Sequence, residues 1–318
     1  MQQHLIPIYD DPKVVEFADQ QLSVFWTADE IKVEKDIQDV LTTFTEAEKH
    51  AVIETLRLFS IYETHVGDEW WSGRFKTIFN TADWHRMASV FSMFELAVHA
   101  PFYNKINELL YLNTPEFFTS YQEDTVLQQR VGHIHTLIEE ADDLLALGGF
   151  SMVEGVILYS NFAFLKHYQS NGKNKLMNVV RGLNFSVRDE NFHALASAYA
   201  FKKKSSSLTV KELMYYRQRL IEIALLIYEH ESAIIEKLFA KGKIDGITPL
   251  QLQNFVKSRI NVCFKEMGLL PVFTVEYNPI AEWFYRGIND YQFNDFFSGT
   301  GNQYNRNWDE LAFTWKSE

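Results

Sequence analysis

Two carboxylate–histidine pairs at helical spacing constrain this chain more than any other feature. They are Glu95…His99 and Glu190…His193, and each follows a lone glutamate in an apolar run, Glu63 and Glu154 respectively. Residues three or four apart share one face of a helix, so both members of a pair can reach one point. Four ionised carboxylates buried in a helical bundle would each cost several kcal/mol to desolvate without a partner. Two divalent cations remove that cost, because four glutamates supply four negative charges, two neutral histidines none, and the cations four positive. The pattern calls for an all-α bundle folded around a dinuclear metal site.

The rest of the chain supports long helices. It has 318 residues, 47% of them hydrophobic, with only 7 prolines and 14 glycines, which is ample for a large helical core. A capping box at Thr43-x-x-Glu46 is expected to open a helix whose buried stripe reads Val52, Leu56, Phe59, Glu63, Val66, Trp70. A second helix is expected over 82–110, with Phe91, Glu95, Phe102 and Ile106 on one face and His99 and Tyr103 following Glu95 at steps of four. The first pair is thus one residue wider than the E-x-x-H of the second. Leu96, three before His99, cannot ligate. A one-residue π-bulge would restore the register, and Pro101 favours one because it cannot donate to the carbonyl of Ala97. Further helices are expected over 124–147, broken by Gly148-Gly149, over 150–170 with Glu154, Leu158, Phe162 and Leu165 on one face, and over 176–201 with Glu190 and His193. Two more follow near 209–240, opened by Thr209-x-x-Glu212, and 248–267. Residues 1–42 read as irregular with short helical pieces and 268–278 as extended. The domain is expected to span 1–293, with a flexible tail over 294–318.

Composition excludes several function classes. The net charge is −12, and the one basic run, Lys202-Lys203-Lys204, adjoins a serine-rich loop and reads as a solvated turn, so direct nucleic-acid binding is not expected. The single cysteine, Cys263, allows neither an internal disulfide nor a zinc finger and fits a reducing, cytoplasmic location. The first twenty residues do not resemble a signal peptide, and no uninterrupted apolar run reaches roughly 18 residues, so no membrane span is expected. A Walker-type phosphate loop is absent; Gly299-Thr300-Gly301 is too short to be one.

Carboxylates and imidazoles without thiolate suit iron or manganese. Glu154, flanked by Val153 and Val156, and Glu63, on its own apolar stripe, are each hard to bury alone; metal explains both. Such a bundle could store iron, activate oxygen on a substrate or generate a radical. Tyr103, one turn beyond His99, places an oxidisable phenol beside the cluster.

Taken together these residues resemble the small, radical-generating subunit of class I ribonucleotide reductase, a ferritin-like fold. The resemblance runs along most of the chain. It covers Phe25-Trp26-Thr27-Ala28-Asp29-Glu30-Ile31, Glu63, the Glu95/His99 pair, Tyr103, Glu154, the run Arg188-Asp189-Glu190-Asn191-Phe192-His193, and a C-terminal segment with Asp295-Phe296-Phe297, Gln303-Tyr304 and Trp308-Asp309-Glu310. It implies that Glu63, Glu95, His99, Glu154, Glu190 and His193 hold two metal ions: two iron, with two manganese or one of each as alternatives. Tyr103 would carry the radical. The relay would run from His99 through Asp189 to Trp26 near the surface, and Tyr304 on the tail would pass the oxidising equivalent to a large catalytic subunit that reduces ribonucleotides to deoxyribonucleotides. A homodimer and a flavoprotein activase are further implied partners. Two departures concern local geometry: Glu63 stands where aspartate is common, and the first pair has its extra residue. The competing readings are a related di-metal carboxylate oxidase acting on a bound lipid or small molecule, a ferritin-like iron store, and a non-enzymatic helical scaffold.

Overall fold

A computed structural model describes residues 8–275 and 277–285. The expected tail, with Tyr304, lies outside the described residues. Twelve α-helices are described: α1 Pro12–Ser23, α2 Glu46–Thr64, α3 Phe75–Ile78, α4 Ala82–Phe94, α5 Ala100–Leu109, α6 Pro115–Thr119, α7 Thr125–Ile138, α8 Asp143–Val156, α9 Tyr159–Lys166, α10 Met177–Ser205, α11 Val210–Leu238 and α12 Pro249–Glu266. No β-strand occurs among the described residues. Two of the rods are composite. A π-helical stretch, His65–Arg74, joins α2 to α3, and a shorter one, Glu95–His99, joins α4 to α5. The second is the π-bulge anticipated from the pair spacing and Pro101; the first has no counterpart in the sequence reading.

The bundle that matters for the site is made by α2 with its π stretch, by α4–α5, by α8 and by α10. α8 packs most extensively on α10, α2 on α5, and the two π stretches touch each other. α11 and α12 cover α8 from outside, and α1 lies along α4. The stripe expected on α2 is buried throughout, from Val52 to Trp70, with Glu63 in its midst.

Three local expectations are corrected. The capping box of α2 is Thr45-x-x-Glu48, with the Thr45 amide and hydroxyl donating to Glu48 Oε2 at 2.9 and 2.8 Å. Thr43 instead closes the turn Asp39–Thr43, which delays the helix start by two residues. Gly148-Gly149 does not break a helix, because α8 runs straight through the pair. A Cβ at Gly148 would lie 2.5 Å from Leu220 Cδ2 and one at Gly149 2.7 Å from Leu137 Cδ2, so these glycines admit neighbouring side chains against the backbone of α8. The real interruptions fall at 139–142, before α8, and at 157–158, after it, where Leu158 takes a left-handed backbone with φ 74°.

The segment Asp143–Ser170 is long and apolar enough to cross a membrane by composition alone, yet 94% of its most apolar window is buried within the bundle. It is the core segment α8–α9, interrupted only at 157–158, and its hydropathy reflects burial on all sides.

Candidate metal centre

The four rods bring all six expected ligands to one place in the interior, each at most 2% exposed. Their donor atoms form two overlapping groups. Glu63, Glu95, His99 and Glu190 make one, and Glu95, Glu154, Glu190 and His193 the other, each with its donor atoms within 4.8 Å of one another. Glu95 and Glu190 belong to both. Glu95 Oε2 lies 3.0 Å from His99 Nδ1 and its Oε1 2.6 Å from His193 Nδ1. Glu190 Oε1 lies 3.2 Å from His99 Nδ1 and its Oε2 3.6 Å from His193 Nδ1. Each shared carboxylate therefore turns one oxygen to either histidine. Glu63 Oε2 stands 3.7 Å from His99 Nδ1, and Glu154 Oε2 3.8 Å from His193 Nδ1. This is the layout of two four-ligand sites bridged by two carboxylates.

The local backbone explains the convergence. The π stretch Glu95–His99 absorbs the extra residue, so that Glu95 and His99 point to the same spot. Glu190 and His193 sit three apart on regular helix. Glu154 occupies the last turn of α8, where the chain leaves helical geometry at Ile157. The Ile157 amide bonds to Met152 rather than to Val153. The freed carbonyl of Val153 accepts the Tyr62 hydroxyl at 2.9 Å, and that of Gly155 accepts Arg259 Nε at 2.8 Å. The break next to a functional glutamate is thereby satisfied from two neighbouring rods.

The electrostatics fit a cation site. Both oxygens of Glu63 and of Glu190, one oxygen each of Glu95 and Glu154, and both ring nitrogens of His193 lack a well-formed hydrogen bond. Apart from His193 Nε2, on the far side of its ring, these atoms crowd within a few ångströms of one another, an arrangement that would be costly if nothing charged sat between them. Burial pushes the carboxyls of Glu63 and Glu154 well above the usual range, reinforced by Glu95. Glu95 is also desolvated, but the His193 and His99 charges outweigh burial and hold it well below its usual range. Burial opposes the charged forms of His99 and His193, and Glu95 overcomes it in both, raising them. The two histidines thus counter part of the carboxylate charge, and the donor set of four carboxylates and two imidazoles fits a pair of iron or manganese ions.

Around the six lie the other expected residues. His99 turns Nδ1 to the carboxylates and Nε2 to Asp189 Oδ2, at 3.3 Å. Trp26 Nε1 donates to the same Asp189 oxygen at 2.7 Å. Arg188 donates to the other oxygen, Oδ1, at 3.1 and 3.2 Å, and to the Val24 carbonyl at 2.9 Å. Desolvation works against the Asp189 carboxylate, yet Arg188 and His99 hold its pKa below the ordinary value. Trp26 was expected near the surface; it is 1% exposed, enclosed by the rings of Phe102 and Phe185. Tyr103 is buried against Phe59 and Phe102. Its hydroxyl has Ser186 as a polar neighbour but no well-formed hydrogen bond, and burial, with Glu63 adding to it, raises its pKa far above that of a free phenol.

Sequence reasoning missed two contributors, Trp71 and Tyr62. Trp71 Nε1 donates to Glu154 Oε1 at 2.7 Å, and its ring meets His193 edge-on at 5.9 Å. The α-helical stripe ran through Trp70; the π stretch brings Trp71 to the site as well. The one available signal was Gly67, four residues from both Glu63 and Trp71, where a Cβ would lie 2.9 Å from that of Glu95.

Residues 4–279 match the family model described as ribonucleotide reductase, small chain. A probable ribonucleoside-diphosphate reductase small subunit of Invertebrate iridescent virus 3 is 24% identical over 308 residues, covering 88% of this chain and 78% of that protein. Among solved structures, the dimanganese(II) NrdF of Streptococcus sanguinis superimposes with a TM-score of 0.77 at 21% identity, over 88% of this chain and 98% of the other. A putative class I ribonucleotide reductase from Bacillus halodurans gives 0.76 at 20% identity, over 87% and 100%.

Proposed function

Because this chain belongs to the ribonucleotide reductase small-chain family, we propose that its six converging side chains hold a pair of iron or manganese ions that equip Tyr103 to carry a radical. Family membership makes the chain a small subunit of ribonucleoside-diphosphate reductase, an oxidoreductase that works with a large catalytic subunit and carries a dinuclear metal centre. It sets aside the substrate-oxidase, iron-store and scaffold readings. The assignment of the individual residues, the radical and the metal identity are our reading. The observation that carries it is the double role of Glu95 and Glu190, each offering one oxygen to either histidine.

When bound, the metal pair supplies one-electron oxidising power next to a phenol. The protein's own part is to place and insulate that phenol. Tyr103 is 1% exposed and walled by Phe59 and Phe102, which keeps water and reductants away from its ring. Phenol oxidation releases a proton, and burial, by raising the Tyr103 pKa, keeps the phenol protonated until it is oxidised. Asp189 fixes the tautomer of His99: by accepting from Nε2–H it leaves Nδ1 free as the donor atom. The same carboxylate accepts from Trp26, so a continuous hydrogen-bonded path, His99–Asp189–Trp26, leaves the centre. We assign this path to radical transfer toward the large subunit, with Tyr304 as the next carrier. We further propose a homodimer in the cytoplasm. The dimanganese neighbour makes manganese as strong a candidate as iron, and a manganese form would call for a flavoprotein activase.

The test is electron paramagnetic resonance with metal analysis of protein loaded with iron or manganese under air, dioxygen being the oxidant on which the metal pair would draw. We expect a tyrosyl signal that vanishes in Tyr103→Phe while the metal content stays at two per chain. A signal that survives the substitution would move the radical to another residue.

A further inference from the structure

A second set of metal-ligating side chains lies outside the buried centre. His65 and Glu69 sit four residues apart on the π stretch that follows Glu63, and α7 carries His135 across to them. Glu69 spans the two rings, with Oε1 2.8 Å from His65 Nδ1 and Oε2 3.1 Å from His135 Nδ1. The rings meet edge to face with centroids 4.8 Å apart. One donor atom from each of the three side chains lies within 4.8 Å of the others.

The arrangement repeats that of the buried centre. There too the Nδ1 atoms of two histidines face the oxygens of a shared carboxylate, at 3.0 and 2.6 Å from Glu95. Among the described residues, neither lysine nor arginine pairs with Glu69; its ion-pair partners are the two imidazoles. The cluster is also open where the other is closed. The side chains of His65, Glu69 and His135 are 19%, 37% and 42% exposed, so a cation can enter and water can complete its shell.

We propose that His65, Glu69 and His135 form a separate mononuclear site for an imidazole-seeking divalent cation of the zinc type. Two imidazoles and one carboxylate with solvent at the remaining position are the donor set of three-ligand zinc sites. Imidazole nitrogen suits zinc, copper, nickel and iron, whereas carboxylate oxygen suits manganese. With two imidazoles to one carboxylate the outer site is the richer in nitrogen, so the two sites differ in preference while both can hold Co²⁺. An occupied outer site would also fasten α7 to the backbone immediately after Glu63.

The experiment is equilibrium dialysis of the full metal-free chain against Co²⁺, with elemental analysis and visible absorption of the bound cobalt. Wild type is expected to take three equivalents, and His135→Ala two, with loss of the absorption from the solvent-open site. Glu190→Ala, which damages the buried pair, should retain that absorption; two equivalents missing from wild type would instead count against the buried centre. Glu69→Gln repeats the test on a surface carboxylate if His135→Ala fails to fold, as judged by circular dichroism. Equal cobalt content in wild type and the folded outer-site variant would overturn the proposal.

Discussion

Glu154 is steadied from a neighbouring rod, since the Trp71 indole donates to one of its oxygens and leaves the other turned towards His193. Replacing a group that orients a metal ligand typically costs about 10–100-fold in metal affinity. Trp71→Phe keeps most of the ring and removes the donor, so chelator-competition titration should show a loss in that range with little change in folding. Asp189 and Glu63 lie within reach of the same histidine but do different work: Asp189 faces Nε2 as a hydrogen-bond acceptor, whereas Glu63 lies on the Nδ1 side. The six converging side chains were legible as residue types at set spacings, because a carboxylate in an apolar stripe breaks a pattern. Trp71 was not, because one more aromatic in a chain with 15% aromatic residues breaks none. A different buried charge gives a prediction in pH. Burial lowers the Lys166 pKa from 10.5 to about 7, and among the described residues its ammonium meets the Phe284 carbonyl and ring. Between those two values the unfolded chain binds more protons than the folded one, so folding stability is expected to rise with pH from about 7 towards 10.5. Below about 7 both states are protonated and the full desolvation cost remains. Lys166→Met should melt at a higher temperature at neutral pH and show a flatter profile across that window; an unchanged profile would mean that this lysine keeps its charge in the fold.

At the scale of helices, the site depends on the two π stretches. Glu95–His99 could be anticipated from a pair spaced four apart with Pro101 just beyond it. The longer His65–Arg74 could not, because its residues also satisfy an ordinary helical stripe through Val66 and Trp70. Both of those are buried in either register, so burial alone does not reveal the change of pitch. The π stretch places Gly67 against Leu96 and Glu95, with room for no side chain, a Cβ there lying 2.8 Å from Leu96 Cγ. Gly67→Ala is expected to push Glu95 aside and reduce metal content measured after dialysis, although alanine is the better helix former. α8 shows the opposite error of sequence reading. A pair of glycines signals a break by local propensity, but Leu220 and Leu137 pack into the space that they leave. Gly148→Ala should therefore destabilise the fold by roughly 1–3 kcal/mol through overpacking, against a helix-propensity gain of about 1 kcal/mol, and urea unfolding would show a lower midpoint. The actual break at Leu158 carried no glycine or proline to announce it; tertiary bonds from Tyr62 and Arg259 hold it open.

At the scale of the whole molecule, the proposed metal centre would serve the bundle both as its function and as part of its stability. Four buried carboxylates from four rods repel one another, and in the metal-free chain the raised pKa values of Glu63 and Glu154, the two histidines and the Trp71 indole on Glu154 offset part of that repulsion. A cation pair bound to the folded state alone adds stability by mass action, about 2.7 kcal/mol at a free concentration 100 times the dissociation constant. Chelation should accordingly lower the melting temperature of wild type and leave that of a Glu95→Ala/Glu190→Ala variant nearly unchanged, as calorimetry can show. The all-α class and the bundle itself were legible because helical periodicity and ligand spacing agree along most of the chain. How α11 and α12 wrap α8 was not, since their apolar faces name no partner in sequence. The most direct test of the account is anomalous diffraction from crystals of the full chain grown with Mn²⁺. Two manganese peaks should lie within the cluster, one beside Glu63 and His99, the other beside Glu154 and His193, with Glu95 and Glu190 between them. A single peak, or none among these six side chains, would contradict it.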